Sequence, residues 1–246
     1  MIVNIAAYHF VVIEDPAQLA QQLREQAKTL QLRGTALVAG EGINLFLAGS
    51  AEAIETLLDG VRADPRFAGL AVKYSYSQTQ PFAKLKVKLK QEIIAFRREQ
   101  ASPLQERAPT VTPSTLERWL DRGVDDDGRR VVLLDTRNRE EVDYGSFDNA
   151  LTLPIDNFTE LPEALAPHRE DLRDATVVSF CTGGIRCEKA ALWLRADGMD
   201  NLLQLDGGIL GYFEKVGGKH YQGRCFVFDE RVALDPQLRP LRDEAA

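Results

Sequence analysis

The sequence has few of the residues on which small secreted folds depend. It contains three cysteines among 246 residues, an odd number in a chain long enough to bury an ordinary hydrophobic core. This count argues against a disulfide framework and indicates a reducing compartment. The sequence also has no basic leader before its first apolar stretch, and no run near the ~20 apolar residues of a membrane helix. It predicts a soluble protein of the cytoplasm.

An excess of positive charge is also missing, because 30 Lys and Arg stand against 37 Asp and Glu, for a net charge of −7. Taken alone, that balance argues against a nucleic-acid partner, which requires clustered cations. The charge is unevenly distributed, however. Residues 1–98 hold 12 cationic and 9 acidic residues, whereas residues 99–246 hold 18 and 28. The net charges of +3 and −10 indicate two regions of different electrostatic character.

Residues 1–98 alternate strand and helix signals in the order βαββαβ. Apolar segments predict strands at Ile2–Ile13, Gly34–Ala39, Ile43–Leu47 and Leu70–Tyr76, and helical spacing predicts helices at Pro16–Leu30 and Ser50–Ala63. The glycines of Gly40-Glu41-Gly42 predict a turn between two antiparallel strands. This order predicts a ferredoxin-like (acylphosphatase-like) α+β domain with both helices on one face of the sheet.

A lysine stripe follows this domain pattern. Lysines alternate with apolar residues along KLKVKLK, so that one side of a strand carries Lys84, Lys86, Lys88 and Lys90. With Arg97 and Arg98, and with Glu92 opposing, residues 84–98 carry a net charge of +5. The stripe is a candidate contact for an RNA phosphate backbone. The alternative is the solvated face of an edge strand, where lysine also discourages aggregation.

Beyond the stripe the pattern changes to that of a parallel α/β domain. Residues 99–112 have no periodicity and are predicted to be a linker. Pro113 suits the first turn of a helix at Ser114–Arg122, with Ser114 and Glu117 spaced as a capping box. Continuous apolar runs predict strands buried on both faces at Val131–Leu134, Ala150–Leu153, Val177–Phe180 and Leu202–Leu205. We assign this domain to residues 113–220 and a C-terminal extension to residues 221–246.

A cysteine-centred loop carries the clearest chemical signal in the chain. The predicted strand Val177–Phe180 ends at Cys181, and helical spacing resumes over Glu188–Ala196. Between them lie Thr182, Gly183, Gly184, Ile185, Arg186 and Cys187. The glycines let the loop curl so that its backbone N–H groups point inward, and these amides, the helix dipole and Arg186 all favour a thiolate. We therefore predict that Cys181 is a nucleophile with a lowered pKa.

This loop resembles the Cys-x-x-Gly-x-Arg active loop of the rhodanese family. A second rhodanese segment is matched by Leu134-Asp135-Thr136-Arg137, Glu140, Gly145, Ala150 and Pro154, and the closing segment by Leu205-Asp206-Gly207-Gly208. The resemblance spans about residues 113–215. Four residues separate Cys181 from Arg186, one fewer than in the related phosphatases. The smaller ring fits a persulfide sulfur better than a phosphate, which argues against phosphatase activity.

A wider resemblance covers the whole chain. CTGGIRCEKAA beginning at Cys181, GEGIN at 40–44 and CFVFDER at 225–231 are together similar to motifs of the tRNA uridine hydroxylase family. The resemblance implies oxygen-dependent conversion of the wobble uridine of tRNA to 5-hydroxyuridine, with Cys181 as the active-site residue and molecular oxygen as co-substrate. It also implies tRNA, bound at its anticodon region, as the partner. Longer members carry a cysteine-rich tail that this sequence does not contain.

The remaining candidate residues have open roles. Cys187 is either a resolving thiol for Cys181 or a small residue of the first helical turn. Arg186 is expected to fix the loop rather than to bind substrate. Asp135 and Arg137 are expected to make hydrogen bonds that fix the loop.

No cofactor or metal fingerprint is present in the sequence. Cys225 forms no C-x-x-C pair, and His9, His168 and His220 are scattered. We expect no cofactor besides oxygen, no metal, no membrane contact and no protein partner. Two other functions stay open: a rhodanese-type sulfurtransferase that carries a persulfide on Cys181, and a non-enzymatic tRNA-binding or redox-sensing module.

Overall fold

A computed structural model describes residues 1–98 and 101–241 of the chain. They form two compact units. The first comprises Met1–Ala95 and Phe228–Val232, with residues 239–241, and the second comprises Phe96–Val227 and Ala233–Leu238. The domain boundaries drawn from the sequence stay predictions, and residues 99–100 of the predicted linker and 242–246 of the predicted extension lie outside the described residues.

The first unit has the predicted ferredoxin-like arrangement. Its elements are β1 (Ile2–Phe10), α1 (Pro16–Thr29), β2 (Arg33–Ala39), β3 (Gly42–Gly49), α2 (Ala51–Arg62), β4 (Val72–Ser77) and β5 (Leu85–Leu89). The sheet order is β4-β1-β3-β2-β5, antiparallel except that β5 pairs with β2 in parallel. The KLKVKLK segment therefore forms an edge strand.

The strands of the first unit bury one face against the two helices. Val3, Ile5 and Ala7 of β1 and Leu45 and Leu47 of β3 belong to a core that also contains residues of α1 and α2. Successive side chains of a strand point to opposite sides, so the even-numbered residues of β1 and β3 point away from the helices. We call that side the outer face of the sheet.

The second unit is built around a parallel sheet of order β6-β10-β9-β7. Its elements are β6 (Thr110–Val111), α3 (Pro113–Arg122), β7 (Val131–Asp135), α4 (Arg139–Val142), β8 (Gly145–Phe147), α5 (Leu161–Leu165), α6 (Arg169–Leu172), β9 (Thr176–Phe180), α7 (Ile185–Ala196), β10 (Leu202–Leu205), α8 (Gly208–Lys215), β11 (Tyr221–Gly223), β12 (Cys225–Phe226) and β13 (Ala233–Leu234). All five residues of β9 are buried, as expected for a strand covered on both faces. The predicted parallel α/β class is confirmed.

One strand predicted for the second unit is absent, and one strand of its parallel sheet was not predicted. Ala150–Leu153 does not form a strand, since Leu151 makes only an isolated parallel bridge to Leu134. Asn149 has a left-handed backbone (φ 55°) immediately before this segment, and Pro154 after it has no N–H to donate, so the pairing cannot extend. The segment predicted as a linker contains a strand, β6, which is too short to give a periodic signal.

The start of α3 also differs from the prediction. Its N-cap is Thr112, whose Oγ1 accepts a hydrogen bond of 3.2 Å from the Thr115 amide, and not Ser114. Pro113 then occupies the first helical position, where its missing N–H costs nothing. Gly123, with a left-handed backbone, follows the last residue of α3.

The CFVFDER segment is divided between the units. Cys225 and Phe226 form β12, which pairs with β13 in the second unit, whereas Phe228–Val232 belongs to the first. There Arg231 forms an ion pair with Asp229 and donates a hydrogen bond of 2.6 Å to Ser75 Oγ of β4. None of the helices in the described residues is both long and apolar enough to cross a bilayer.

Candidate active site

Cys181 lies at the carboxyl end of β9 and directly before α7. This end of a parallel sheet is where α/β folds place their ligands. The Gly184 amide donates a hydrogen bond to Cys181 Sγ over 3.1 Å. Gly184 is the N-cap of α7 and has φ 102°, a conformation that favours glycine. Gly183 does not have a positive φ, and a Cβ there would meet nothing within 4 Å, so only the second glycine has the conformational role predicted for the pair.

The first turn of α8 holds the carbonyl groups of the same loop. The Ile209 amide donates to Cys181 O over 2.9 Å, and the Leu210 amide donates to Thr182 O over 3.0 Å. Gly208 permits this approach, because a Cβ at residue 208 would lie 2.5 Å from Cys181 O and 2.8 Å from Gly184 N. The two carbonyls are thus directed at α8, while the Gly184 amide is directed at the sulfur.

The surroundings of Cys181 favour the thiolate. Only 2% of the residue is exposed, and burial by itself raises the pKa of the thiol. A hydrogen bond from Cys187, the charge of Arg186 and the backbone amides of Arg186 and Gly184 outweigh burial and lower the pKa to about 6. At neutral pH the residue is mostly ionised, as a nucleophile requires.

Cys187 lies beside Cys181 and is fully buried. Its sulfur is 3.6 Å from Thr136 Oγ1, which in turn lies 3.0 Å from Phe180 O. Burial and the neighbouring Cys181 thiolate raise the pKa of Cys187, so it keeps its proton and can donate it in a hydrogen bond. Its position is compatible with both roles left open by the sequence. Thr136 is a contact that sequence reasoning missed, although it lies within the matched rhodanese segment.

Arg186 forms a buried ion pair with Glu141, with Nη1 and Oε2 separated by 2.7 Å. Glu141 is 1% exposed and also accepts hydrogen bonds from the Asn138 amide and, at 3.5 Å, from Thr182 Oγ1. It therefore connects α4 to the loop. The rhodanese resemblance selects Glu140 instead, which is exposed. The two glutamates are adjacent, and only packing decides which of them faces the loop.

Asp135 and Arg137 form a second buried ion pair, in which neither side chain is exposed. Arg137 donates to both Asp135 oxygens and to Gly145 O, and Asp135 also accepts from Ser146 Oγ over 2.8 Å. These contacts join the end of β7 to β8. Neither side chain lies at a surface, and none of these hydrogen bonds reaches the cysteine loop itself, so the predicted loop-fixing role stays a prediction.

The third cysteine is part of the core of the second unit. Cys225 is fully buried among apolar residues that include Val227 and Leu234, and burial raises its pKa to about 12. All three cysteines are free thiols. Within residues 1–98 and 101–241 no group of three or more His, Cys, Asp or Glu residues is placed to hold a metal ion.

The predicted cationic cluster is divided between the units. Lys84, Lys86, Lys88 and Lys90 are exposed on and beside the edge strand β5. Arg97 and Arg98 belong to the second unit, where Arg98 forms an ion pair of 2.7 Å with Glu163. Only the four lysines therefore lie on or beside the edge strand of the first unit.

Comparisons with known proteins match both units. Residues 2–93 match the UPF0176 acylphosphatase like domain, and residues 112–215 match the rhodanese-like domain. The chain is 68% identical over 243 residues to the tRNA uridine(34) hydroxylase of Xanthomonas euvesicatoria pv. vesicatoria (strain 85-10), covering 99% of this chain and 98% of that relative. It is 67% identical over 246 residues to the protein of the same name from Xanthomonas campestris pv. campestris (strain 8004), covering 100% and 97%.

A solved structure similar to the second unit is the rhodanese-like domain of an Anabaena protein. The two are 19% identical with a TM-score of 0.38, over 47% of this chain and 79% of that one.

Proposed function

The chain belongs to the tRNA uridine(34) hydroxylase family, and from this membership we propose that it uses molecular oxygen to convert the wobble uridine of tRNA to 5-hydroxyuridine. The active-site residue in this proposal is Cys181. The observation that carries the assignment is the environment of its sulfur, which receives the Gly184 amide at 3.1 Å and has a pKa lowered to about 6. The other loop residues act through this sulfur.

A thiolate is suited to work on the C5 position of uridine. By adding to C6 of the ring, the Cys181 sulfur forms an S–C6 bond and moves the electron pair of the C5–C6 double bond onto C5, the carbon that gains oxygen. After one oxygen atom of dioxygen has bonded to C5, loss of the C5 proton and departure of the thiolate restore the C5–C6 double bond. The second oxygen atom leaves as water, and the two electrons and two protons that this requires come from an external reductant such as a dithiol, which is oxidised to its disulfide. A low thiol pKa favours both steps, because the thiolate is the attacking form and also the leaving group.

The substrate base must leave its stack to reach a sulfur at the base of a loop. In a duplex that movement costs a few kcal/mol, whereas it costs less in an anticodon loop, because its bases are single-stranded and no base pair has to be broken. The site is therefore compatible with the anticodon region of tRNA. Exposed Lys84, Lys86, Lys88 and Lys90 would contact its phosphates, a role that Arg98, paired with Glu163, is less available to share.

A second candidate reaction, sulfur transfer, is supported by the loop considered alone. The amide directed at Cys181 would stabilise a terminal persulfide sulfur as well as a thiolate. Hydroxylation is favoured over this alternative by the name that the near-full-length relatives share. The three free thiols suit the reducing cytoplasm, where we propose that the protein acts.

Isotope labelling separates the two reactions. Purified protein, unmodified tRNA and a dithiol reductant are incubated under heavy-isotope dioxygen. The wobble nucleoside is then isolated and analysed by mass spectrometry at a resolution that distinguishes sulfur from oxygen. We expect the label to enter the base with wild-type protein and not with Cys181→Ser. Label arriving from a sulfane-sulfur donor instead, with none from dioxygen, would overturn hydroxylation and establish sulfur transfer.

A further inference from the structure

The strands of the first unit contain no acidic residue. In β1 to β5, all within the described chain, the residues charged at neutral pH are Arg33, Lys73, Lys86 and Lys88. Such a sheet is a local exception in a protein whose net charge is −7. Helix α2, in contrast, carries Glu52, Glu55 and Asp59. The cationic character of residues 1–98 is therefore concentrated in the sheet.

Strand register places most of these cations on the outer face. Thr35 of β2 lies opposite Phe46 of β3 on one side and Lys86 of β5 on the other. Residues directly opposite each other share a face of the sheet. Lys88 lies opposite Leu37 in the same way, and Arg33 lies beside Lys84, because the next residue, Gly34, pairs with Leu85.

One half of the outer face is covered and the other half is open. On the half formed by β4 and β1, Arg231 donates a hydrogen bond to Ser75 Oγ, and Asn4 donates one to Ser77 Oγ. All four side chains are buried, so this half is covered. Over β2 and β5 the cationic side chains are exposed, and their apolar neighbours are partly exposed. The open half is thus bounded by Phe46 on one side and by the lysines of β5 on the other.

Phe46 is a large aromatic side chain surrounded by short ones. Its neighbours across the sheet are Ala6 and Thr35, and its neighbours on the same face along β3 are Asn44 and Ala48. Asn44 and Ala48 are buried, and Asn44 donates a hydrogen bond of 3.2 Å to Ile93 O, so the chain after β5 covers the face beside Asn44. The Phe46 ring between them is partly exposed. Two strand spacings, about 10 Å, separate it from the row of lysines on β5. An aromatic ring within reach of a line of cations is the arrangement on which single-stranded nucleic acids bind.

We propose that the open half of the outer face binds single-stranded RNA, with a base stacked on Phe46 and phosphates along Arg33, Lys84, Lys86 and Lys88. The proposal rests on the proposed tRNA substrate and adds two residues, Arg33 and Phe46, that the lysine stripe did not include. RNA is favoured over other anionic partners because the face combines cations with an aromatic platform, and a base supplies the planar group that the platform accepts.

Binding of an anticodon stem-loop RNA to the full chain, followed by fluorescence anisotropy at several salt concentrations, tests this surface. Phe46→Leu is expected to weaken binding roughly 5- to 150-fold, the loss typical of one stacked base, and Phe46→Trp is expected to retain it. Arg33→Gln should reduce the slope of log affinity against log salt by about 0.7. The matched controls are Tyr76→Leu, exposed on the other face of the sheet, and Lys28→Gln on α1.

Three results would overturn the proposal: equal losses for Phe46→Leu and Tyr76→Leu, the same loss of affinity for a blunt RNA duplex of equal length, or preferred binding of a polyglutamate peptide. Thermal unfolding of each variant separates misfolding from weakened RNA recognition, and Phe46→Trp supplies a second reading if Phe46→Leu is unstable. The assay requires no hydroxylation. If stem-loop binding depends on Phe46 but no label enters the base from dioxygen, the RNA surface is supported and hydroxylation is not. If label enters the base but binding does not depend on Phe46, hydroxylation is supported and only the RNA surface is refuted.

Discussion

The charged residues of the two units are arranged in opposite ways. In the second unit, Asp135 with Arg137 and Glu141 with Arg186 are buried ion pairs, and the second of them borders the Cys181 sulfur. In the first, cations are exposed along one half of a sheet whose strands contain no carboxylate. Buried charges must be matched to be tolerated and hold a fixed geometry, whereas exposed charges are screened and suit a partner that arrives from solution. This difference underlies our proposal that the second unit carries out the chemistry and the first recognises the RNA.

Removal of the Cys181 thiol is expected to have the largest effect, and it tests whether catalysis and RNA binding are separate. Cys181→Ser is expected to abolish tRNA hydroxylation, because serine does not ionise near neutral pH, while stem-loop binding should stay within about twofold of wild type. Product formation and anisotropy are measured on the same preparation. Cys225→Ala, which removes a thiol from the core instead, is the control. A parallel loss of binding in Cys181→Ser would show that the two functions are not separable.

Loss of one buried carboxylate is the next largest effect. Glu141→Gln removes the carboxylate of a buried ion pair and leaves Arg186 with the Cys181 thiolate as its remaining negative neighbour, and we expect the free energy of unfolding to fall by about 3–5 kcal/mol. The adjacent Glu140→Gln alters an exposed side chain and should change it by less than about 0.5 kcal/mol. Urea unfolding of both variants measures the difference. Equal effects would mean that the sequence match to Glu140 was correct.

The acidity of Cys181 tests the contribution of its neighbours. We expect thiolate absorbance, taken as the difference between wild type and Cys181→Ser, to rise with a midpoint near pH 6, well below the ~8.5 of a free cysteine. Below that pH the thiol is protonated and alkylation slows. Cys187→Ala should move the midpoint upward, because a hydrogen bond to the thiolate is removed, whereas Cys187→Ser keeps a donor. An unchanged midpoint in Cys187→Ala would make Cys187 a packing residue only.

Neutralising the lysine stripe is the mildest change. We replace Lys84, Lys86, Lys88 and Lys90 by glutamine and measure the slope of log tRNA affinity against log salt concentration. The slope should decrease in magnitude by up to about 0.7 for each phosphate that a lysine no longer neutralises. The stability of the chain should change little, since all four side chains are exposed. A slope equal to that of wild type would show that the lysines serve only to discourage pairing at the sheet edge.

Local pattern predicted most of the framework from the sequence. The strand and helix order of the first unit follows from regular alternation of apolar residues, and the cysteine loop follows from a buried strand that ends before a helix. The failures have the same physical origin. β6 has two residues and Ala150–Leu153 lies between a left-handed Asn149 and Pro154, so in both places neighbouring structure decides the conformation and periodicity does not.

The outer-face residue Phe46 shows a second limit. It lies between two leucines in the apolar stretch Leu45-Phe46-Leu47, where hydrophobicity does not separate a core residue such as Leu45 from one on the opposite side. Strand pairing supplies that distinction. Glu141 was missed for a related reason. Glu140 and Glu141 are identical residues in adjacent positions, and the sequence does not show that the first is exposed and the second buried.

The close approach of Gly208 to the cysteine loop has a consequence for how this protein can evolve. A methyl group at residue 208 would lie closer to Cys181 O and Gly184 N than atoms can approach, so the loop would have to move, and with it the amide that the sulfur receives. An inherited substitution in α8 would thereby alter the acidity of a thiol in a different element. Selection on the chemistry of Cys181 therefore also acts on residue 208, which belongs to a different element of the fold.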